Sequence, residues 1–315
     1  ASPGSTANHS ASPTTAPAPV PYHWRNVAIG GGGFVTGLVM HPAERDLAYA
    51  RTDVGGAYRW DNRAGAWVPL LDWIGRPDWN WQGVESLAVD PTDPQRLYLA
   101  VGTYTFPDAS RGLILRSADQ GRTWARTPLP FKFGANEAGR GSGERLAVDP
   151  HCSRILYLGT RRDGLWRSRD QGVSWSAVPG FPNLPDDSEL HRPRPGQPFD
   201  YLQQAVGIIC VQFDPQHGQP GEPTPLIYAA VSRAAGPVYR SEDAGTTWAL
   251  VAGQPTGLRA TGLSLATDGT LYVSYGDEPG PNGMKAGAVW KWDGASHAWT
   301  DITPERQAPP GAPWR

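Results

Sequence analysis

Ser117-Ala-Asp-Gln-Gly-Arg-Thr-Trp124, Ser168-Arg-Asp-Gln-Gly-Val-Ser-Trp175 and Ser241-Glu-Asp-Ala-Gly-Thr-Thr-Trp248 are three versions of one phrase. Each follows an alternating run: Leu113-Ile-Leu-Arg116, Leu165-Trp-Arg167 and Val238-Tyr-Arg240. The phrase therefore reads as a hairpin turn. Its Asp can accept hydrogen bonds from nearby backbone N–H groups, its Gly supplies a positive φ, and its Trp packs beneath. A hairpin that returns at intervals of tens of residues signals a repeat architecture.

Alignment on the three turns exposes a larger unit: an apolar strand ending in Asp-Pro, a short turn, a strand around Leu-Tyr, a variable loop, a third strand, the Asp turn and a fourth strand. First strands begin at Leu38, Leu87, Leu146, Val211 and Leu263, so five units repeat every 49 to 65 residues. The first and last units carry looser turns, Trp60-Asp-Asn-Arg-Ala-Gly-Ala-Trp67 and Trp292-Asp-Gly-Ala-Ser-His-Ala-Trp299. Four short antiparallel strands repeated at this interval predict an all-β fold of the β-propeller type, with solenoids and sandwiches as the alternatives. A propeller has to close, because an open arc exposes the flanks of its end blades. Residues 307–315 are proline-rich and offer no closing strand. Either five blades make a small ring, or the chain is the front part of a larger protein.

Gly and Pro together make up 70 of 315 residues, which suits many short strands joined by turns. A formal net charge of -2 and no basic stripe argue against nucleic acid as a partner. No apolar run reaches the roughly 18 residues of a membrane span. Cys152 and Cys210 fall in different units and are expected to be buried thiols rather than a disulfide. Residues 1–20 are small, polar and proline-rich and read as a disordered tail or linker. Such a tail is typical of the segment just after a cleaved export signal, so the chain is expected to be secreted. Residues 21–315 are then the propeller portion, expected to be incomplete.

In a four-stranded blade the loops joining strand 2 to 3 and strand 4 to the next strand 1 share one face. The Asp turns lie on the other. The first set comprises Arg51-Thr-Asp-Val-Gly-Gly56, Gly102-Thr-Tyr-Thr-Phe-Pro-Asp108, Thr160-Arg-Arg-Asp-Gly164, Val231-Ser-Arg-Ala-Ala235, Tyr275-Gly-Asp-Glu-Pro279, the long segment 71–82, the segment 131–141 and the stretch 182–206. One face thus collects Trp73, Trp79, Trp81, Tyr104 and several carboxylates. Exposed aromatic rings beside carboxylates suit carbohydrate, since the apolar face of a sugar stacks on a ring while its hydroxyls seek charged partners. Trp79, Trp81 and Tyr104 are the candidate platforms; loop packing between blades is the alternative.

Asp53 is the sharpest acidic candidate. It follows an inner strand and precedes Gly55-Gly56, which leaves its carboxylate near the axis with little bulk around it; a pair with Arg51 or Arg59 is the structural alternative. Asp119, Asp170 and Asp243 are turn-formers on the far face, and Asp90, Asp149 and Asp214 are likewise structural. Glu144 and Arg145 begin an inner strand, where charges must be paired or face water. They either line the cleft floor or pair with each other. Arg140 and Arg161 join Glu144 as candidate substrate contacts. Gly30-Gly31-Gly32-Gly33 precedes no helix and reads as a close-packing or turn segment rather than a phosphate loop. The seven His residues show no metal-ligand spacing. Neither a metal nor a cofactor is expected.

The segments Trp24-Arg-Asn-Val-Ala-Ile-Gly-Gly-Gly-Gly-Phe-Val35, Tyr49-Ala-Arg-Thr-Asp-Val-Gly-Gly-Ala-Tyr-Arg-Trp60, Gly102-Thr-Tyr-Thr105, Asn136-Glu-Ala-Gly-Arg-Gly-Ser-Gly-Glu-Arg-Leu146 and Asp301-Ile-Thr-Pro304 resemble glycoside hydrolase family 74. The resemblance implies two seven-bladed propellers with a cleft between them that cleaves the β-1,4-glucan backbone of xyloglucan with inversion. It places Asp53 at the position of the catalytic base and the catalytic acid in the second propeller. Only five blade units are present here, so two blades and the second propeller are expected from elsewhere, in cis or as another chain. The alternative expectation is a non-catalytic glucan-binding module. A sialidase-like reading shares only the Asp turns and finds no Arg-Ile-Pro signature.

Overall fold

A computed structural model describes residues 28–182 and 205–304. The expected tail at 1–20, much of the 182–206 loop and the segment 307–315 lie outside the described residues.

Twenty strands form five antiparallel four-stranded sheets, each joining its strands in chain order. The first sheet is β1 (Val35–Met40), β2 (Ala48–Thr52), β3 (Ala57–Asp61) and β4 (Ala66–Pro69). The second is β5 (Val84–Asp90), β6 (Asp93–Val101), β7 (Leu113–Ser117) and β8 (Ala125–Pro128). The third is β9 (Leu146–Val148), β10 (Leu156–Gly159), β11 (Leu165–Ser168) and β12 (Ser176–Ala177). The fourth is β13 (Ile208–Phe213), β14 (Ile227–Val231), β15 (Val238–Ser241) and β16 (Ala249–Leu250). The fifth is β17 (Arg259–Leu265), β18 (Leu271–Gly276), β19 (Gly287–Asp293) and β20 (Ala298–Asp301). These are the five units read from the repeat, in a propeller arrangement.

The core lies between blades. Because side chains alternate across a strand, Leu97 and Leu99 of β6 pack toward the first blade while Tyr98 and Ala100 pack toward the third. Both faces of the middle sheets are therefore apolar, and four clusters fill the four successive gaps. The inner strands β1, β5, β9, β13 and β17 surround a central channel of about 400 Å³. Consecutive inner strands pack on one another, whereas β1 and β17 do not do so to a comparable extent. On β1 the side chains of Leu38 and Met40 stand 61% and 76% exposed, so the flank of the first blade is an uncovered apolar edge among the described residues.

The three Asp turns are structural and lie opposite the variable loops. Ser117 Oγ donates to Asp119 Oδ1 at 2.7 Å and accepts the Gly121 N–H at 2.7 Å, while Thr123 donates its N–H and its hydroxyl to the Asp119 carboxylate. Gln120 and Gly121 occupy the left-handed region, with φ of 60° and 85°. The Trp124 indole then donates to Leu70 O, tying the turn to the preceding blade. Asp90 Oδ1 accepts from Thr92 and Ser153, and Asp149 accepts from His151, Cys152 and Thr224. Cys152 and Cys210 are buried free thiols in different clusters.

A bulge recurs at the start of four inner strands, between Val35 and Gly37, Val84 and Ser86, Ile208 and Cys210, and Ala260 and Gly262. A bulge leaves one residue off the ladder and re-aims its side chain. In β5 that residue is Glu85, turned into the interior of the loop face.

Candidate active site

Asp53 leaves the end of β2 in a turn closed by Thr52, whose hydroxyl donates to Gly56 O at 2.8 Å and accepts the Gly55 N–H at 2.8 Å. The carboxylate is 6% exposed. Its Oδ1 accepts the Phe34 N–H at 2.7 Å, and the Asp53 N–H donates to Phe34 O, so the Gly-rich segment is bound to the turn like an added strand. Oδ2 faces Arg140 Nε at 3.4 Å. The alternative partners considered for Asp53 are engaged elsewhere: Arg51 with Glu144 at 2.6 Å and Arg59 with Gln120 at 2.9 Å. One carboxylate oxygen is thus fixed by backbone and the other is held against a guanidinium.

Arg140 reaches Asp53 from the β8–β9 loop, and buried charges hold that loop in place. Arg51, 1% exposed, donates to Arg140 O and Ser142 O. Glu85 is paired with Arg145 at 2.8 Å and Arg161 at 3.0 Å, and its Oε2 accepts the Gly134 N–H. Burial pushes the Glu85 carboxyl up, but the guanidiniums of Arg161 and Arg145 outweigh it and hold the group below the ordinary carboxylate range. Arg161 also donates to Gly134 O, Ala138 O and Ala205 O. Glu137, fully buried, accepts the Thr105 N–H and hydroxyl through Oε1; burial raises its carboxyl despite the opposing Arg161 charge.

Two of the residues expected at the substrate are engaged within the protein. Arg161, expected to contact substrate, is 5% exposed and bound by Glu85 and three carbonyls, because the loop above it would otherwise leave those oxygens unpaired in the interior. Glu144 does not pair with Arg145. It joins Arg51, the Ser86 hydroxyl and the Leu87 N–H, which saturates both its oxygens with structural partners. These contacts make it a brace between the first three blades.

The aromatic candidates divide. Trp79, on a 3₁₀ turn over Arg76–Gln82, is 48% exposed and lies 6.1 Å from the Tyr104 ring. Phe106 stacks on Tyr104 at 4.6 Å with ring planes 10° apart. Tyr104 is fixed at both ends, its hydroxyl accepting from Asn136 Nδ2 at 2.6 Å and its N–H donating to Asn80 Oδ1. Trp81 instead packs against the first core cluster and donates to Arg111 O, and the Arg126 guanidinium lies 5.4 Å over its ring and 4.9 Å over that of Trp73. Trp79, Tyr104 and Phe106 form one aromatic group, with Trp79 exposed and the other two half-buried; Trp73 and Trp81 form a second, clasping Arg126. Glu85, Glu137 and Phe106 are site-supporting residues not singled out from sequence. The one signal for them was Glu85 itself, a lone charge inside the apolar run Val84-Glu-Ser-Leu-Ala-Val89.

No protein-family model matches the chain. Among curated proteins it is 50% identical over 291 residues to xyloglucanase Xgh74A of Acetivibrio thermocellus, covering 90% of this chain and 34% of that protein. It is 40% identical over 302 residues to the oligoxyloglucan-reducing end-specific xyloglucanase of Emericella nidulans, with the same two coverages. Among solved structures, the GH74 xyloglucanase from Xanthomonas campestris superposes with a TM-score of 0.83 at 53% identity, over 91% of this chain and 40% of that one. The chain spans about a third of the length of the curated relatives it matches. Similarity at this level, over nearly all of a five-bladed propeller arrangement, assigns the chain to glycoside hydrolase family 74, whose members it matches in their amino-terminal part.

Proposed function

We propose that this chain carries the general base and one wall of the glucan cleft of a xyloglucan-cleaving enzyme, with Asp53 as the base. The observation that carries the reading is the buried Asp53–Arg140 pair on the loop face that also bears the Trp79–Tyr104–Phe106 group. In an inverting hydrolysis Asp53 takes a proton from a water as its oxygen attacks the anomeric carbon. The glycosidic C–O bond breaks, and an acid on the opposite side protonates the departing oxygen. Asp53 has one oxygen immobilised by the Phe34 N–H and the other beside the Arg140 guanidinium, which supports its reading as such a base. The acid comes from a second propeller, in cis or on another chain, and needs a raised pKa to hold its proton.

The test is reducing-end release from xyloglucan by the chain joined to its second propeller, with and without Asp53→Ala. Loss of activity on substitution supports the assignment, and retention within a few-fold overturns it. Because the chain spans only a third of its curated relatives, a second reading, a glucan-binding module without catalysis, applies to the chain alone. Affinity electrophoresis in xyloglucan separates the two: retarded migration without product supports the binding module.

A further inference from the structure

The glycines around Asp53 differ from the others in the fold. Nine described glycines have no neighbour within 4 Å of where a Cβ would stand. Seven of these have positive φ, which is reason enough for glycine. The remaining two, Gly32 and Gly141, have neither a left-handed φ nor a neighbour to avoid. A glycine without such a reason costs stability through the freedom of the unfolded chain. One lies against the turn that carries the candidate base, and the other adjoins that base's arginine partner in the chain. The Gly32 carbonyl fills the place a Cβ on Gly55 would need, two residues beyond Asp53, and Gly141 directly follows Arg140. Their neighbours in sequence behave differently: a Cβ at Gly31 would strike the Tyr58 hydroxyl, and one at Gly33 would lie 2.9 Å from Asp53 Oδ1.

Polar groups beside this bare backbone are also unsatisfied. Arg140 Nε and Nη1 are buried without a hydrogen-bond acceptor among the described residues. Nε approaches Asp53 Oδ2 at 3.4 Å without donating a hydrogen bond to it. Buried guanidinium donors without acceptors are costly unless a ligand or water completes them. Donors and an acceptor next to a strip without side chains match a pyranose ring, whose C–H face can lie on peptide groups while its hydroxyls reach Arg140 and Asp53.

We infer that Gly32 and Gly141 are specificity-determining positions: the sugar bound beside Asp53 rests directly on their backbone, in space that any side chain there would occupy. This rests on the reading of the chain as a glucan-cleft wall. Calorimetric titration of the chain with a xylose-branched cello-oligosaccharide tests it, using Gly32→Leu and Gly141→Leu alongside thermal melting. The expected result is a roughly tenfold or greater loss of affinity in each variant, with melting temperatures close to wild type. Unchanged affinity in both variants overturns the inference and leaves the glucan-binding reading intact. A wild-type chain that binds no oligosaccharide overturns the inference together with the binding-module reading. A large fall in melting temperature of both variants also overturns the inference, since it shows that the fold itself requires glycine there. Gly31→Leu is the contrast, expected to destabilise the fold.

Discussion

Replacing Glu85 with Gln removes one negative charge from a buried group of three carboxylates and three guanidiniums: Glu85, Glu137, Glu144, Arg51, Arg145 and Arg161. The amide keeps the shape but replaces one acceptor oxygen with a donor group, which must face Arg145 and Arg161 or the Gly134 N–H, so lost charge and a lost acceptor act together. At an effective dielectric near 20, contacts of 2.8 and 3.0 Å correspond to about 6 and about 5.5 kcal/mol of gross attraction. The desolvation of the charges opposes that gain, and breaking a buried pair on one side costs about 3–5 kcal/mol in net stability. For a domain of this size that is a melting-temperature drop of roughly 6–20 °C. Differential scanning calorimetry at pH 7 reads it directly. A drop below about 1 kcal/mol for Glu85→Gln would refute the claim that this ion group holds the β8–β9 loop over the inner strands.

Three further outcomes are expected. Hydrogen bonds from Thr247 and Ser241 hold the Asp243 carboxyl at about 2, and those from Thr123 and Ser117 hold Asp119 at about 2 against slight burial. Both folded values lie below the ordinary 3.8, so the stability they confer is present above about pH 4 and is lost as pH falls toward 2; melting temperatures across that window should decline, and less steeply in Asp243→Asn. Trp79→Ala should leave the melting temperature nearly unchanged, because the ring is half exposed, yet weaken oligosaccharide binding roughly tenfold by calorimetry. Cys210, whose thiol burial pushes up to about 12, and the buried Cys152 should resist a thiol-specific chromogenic disulfide in the native state and both react after denaturation; rapid native reaction would contradict their placement.

Much of the fold was legible because its signals are local. The serine, aspartate and glycine of each Asp turn satisfy their own backbone, so the phrase carries its conformation wherever it occurs, and its spacing sets the blade register. The turn that carries Asp53 was legible for a similar reason, since it is closed within Thr52–Gly56. The arginines were not. Arg140 and Arg161 both lie in loops of the same face, yet one borders Asp53 and the other is buried beneath Glu85, a difference fixed by partners 87 and 76 residues away in sequence. Trp81 shows the same limit: its spacing from Trp79 suggests a shared platform, but the 3₁₀ turn points the two rings apart and leaves Trp81 against the core. The role of the glycine run was half legible, since Gly31 and Gly33 pack closely as expected while Gly32 faces open space.

The central claim is that Asp53 is the base of a xyloglucan-cleaving site. Reducing-end release from xyloglucan by the chain joined to its second propeller, compared with the Asp53→Asn form of the same protein, tests it most directly. A loss of roughly 10²–10⁴-fold in kcat, with oligosaccharide affinity and melting temperature retained, is the predicted result for removal of a general base. Activity within a few-fold of the unsubstituted enzyme would contradict it.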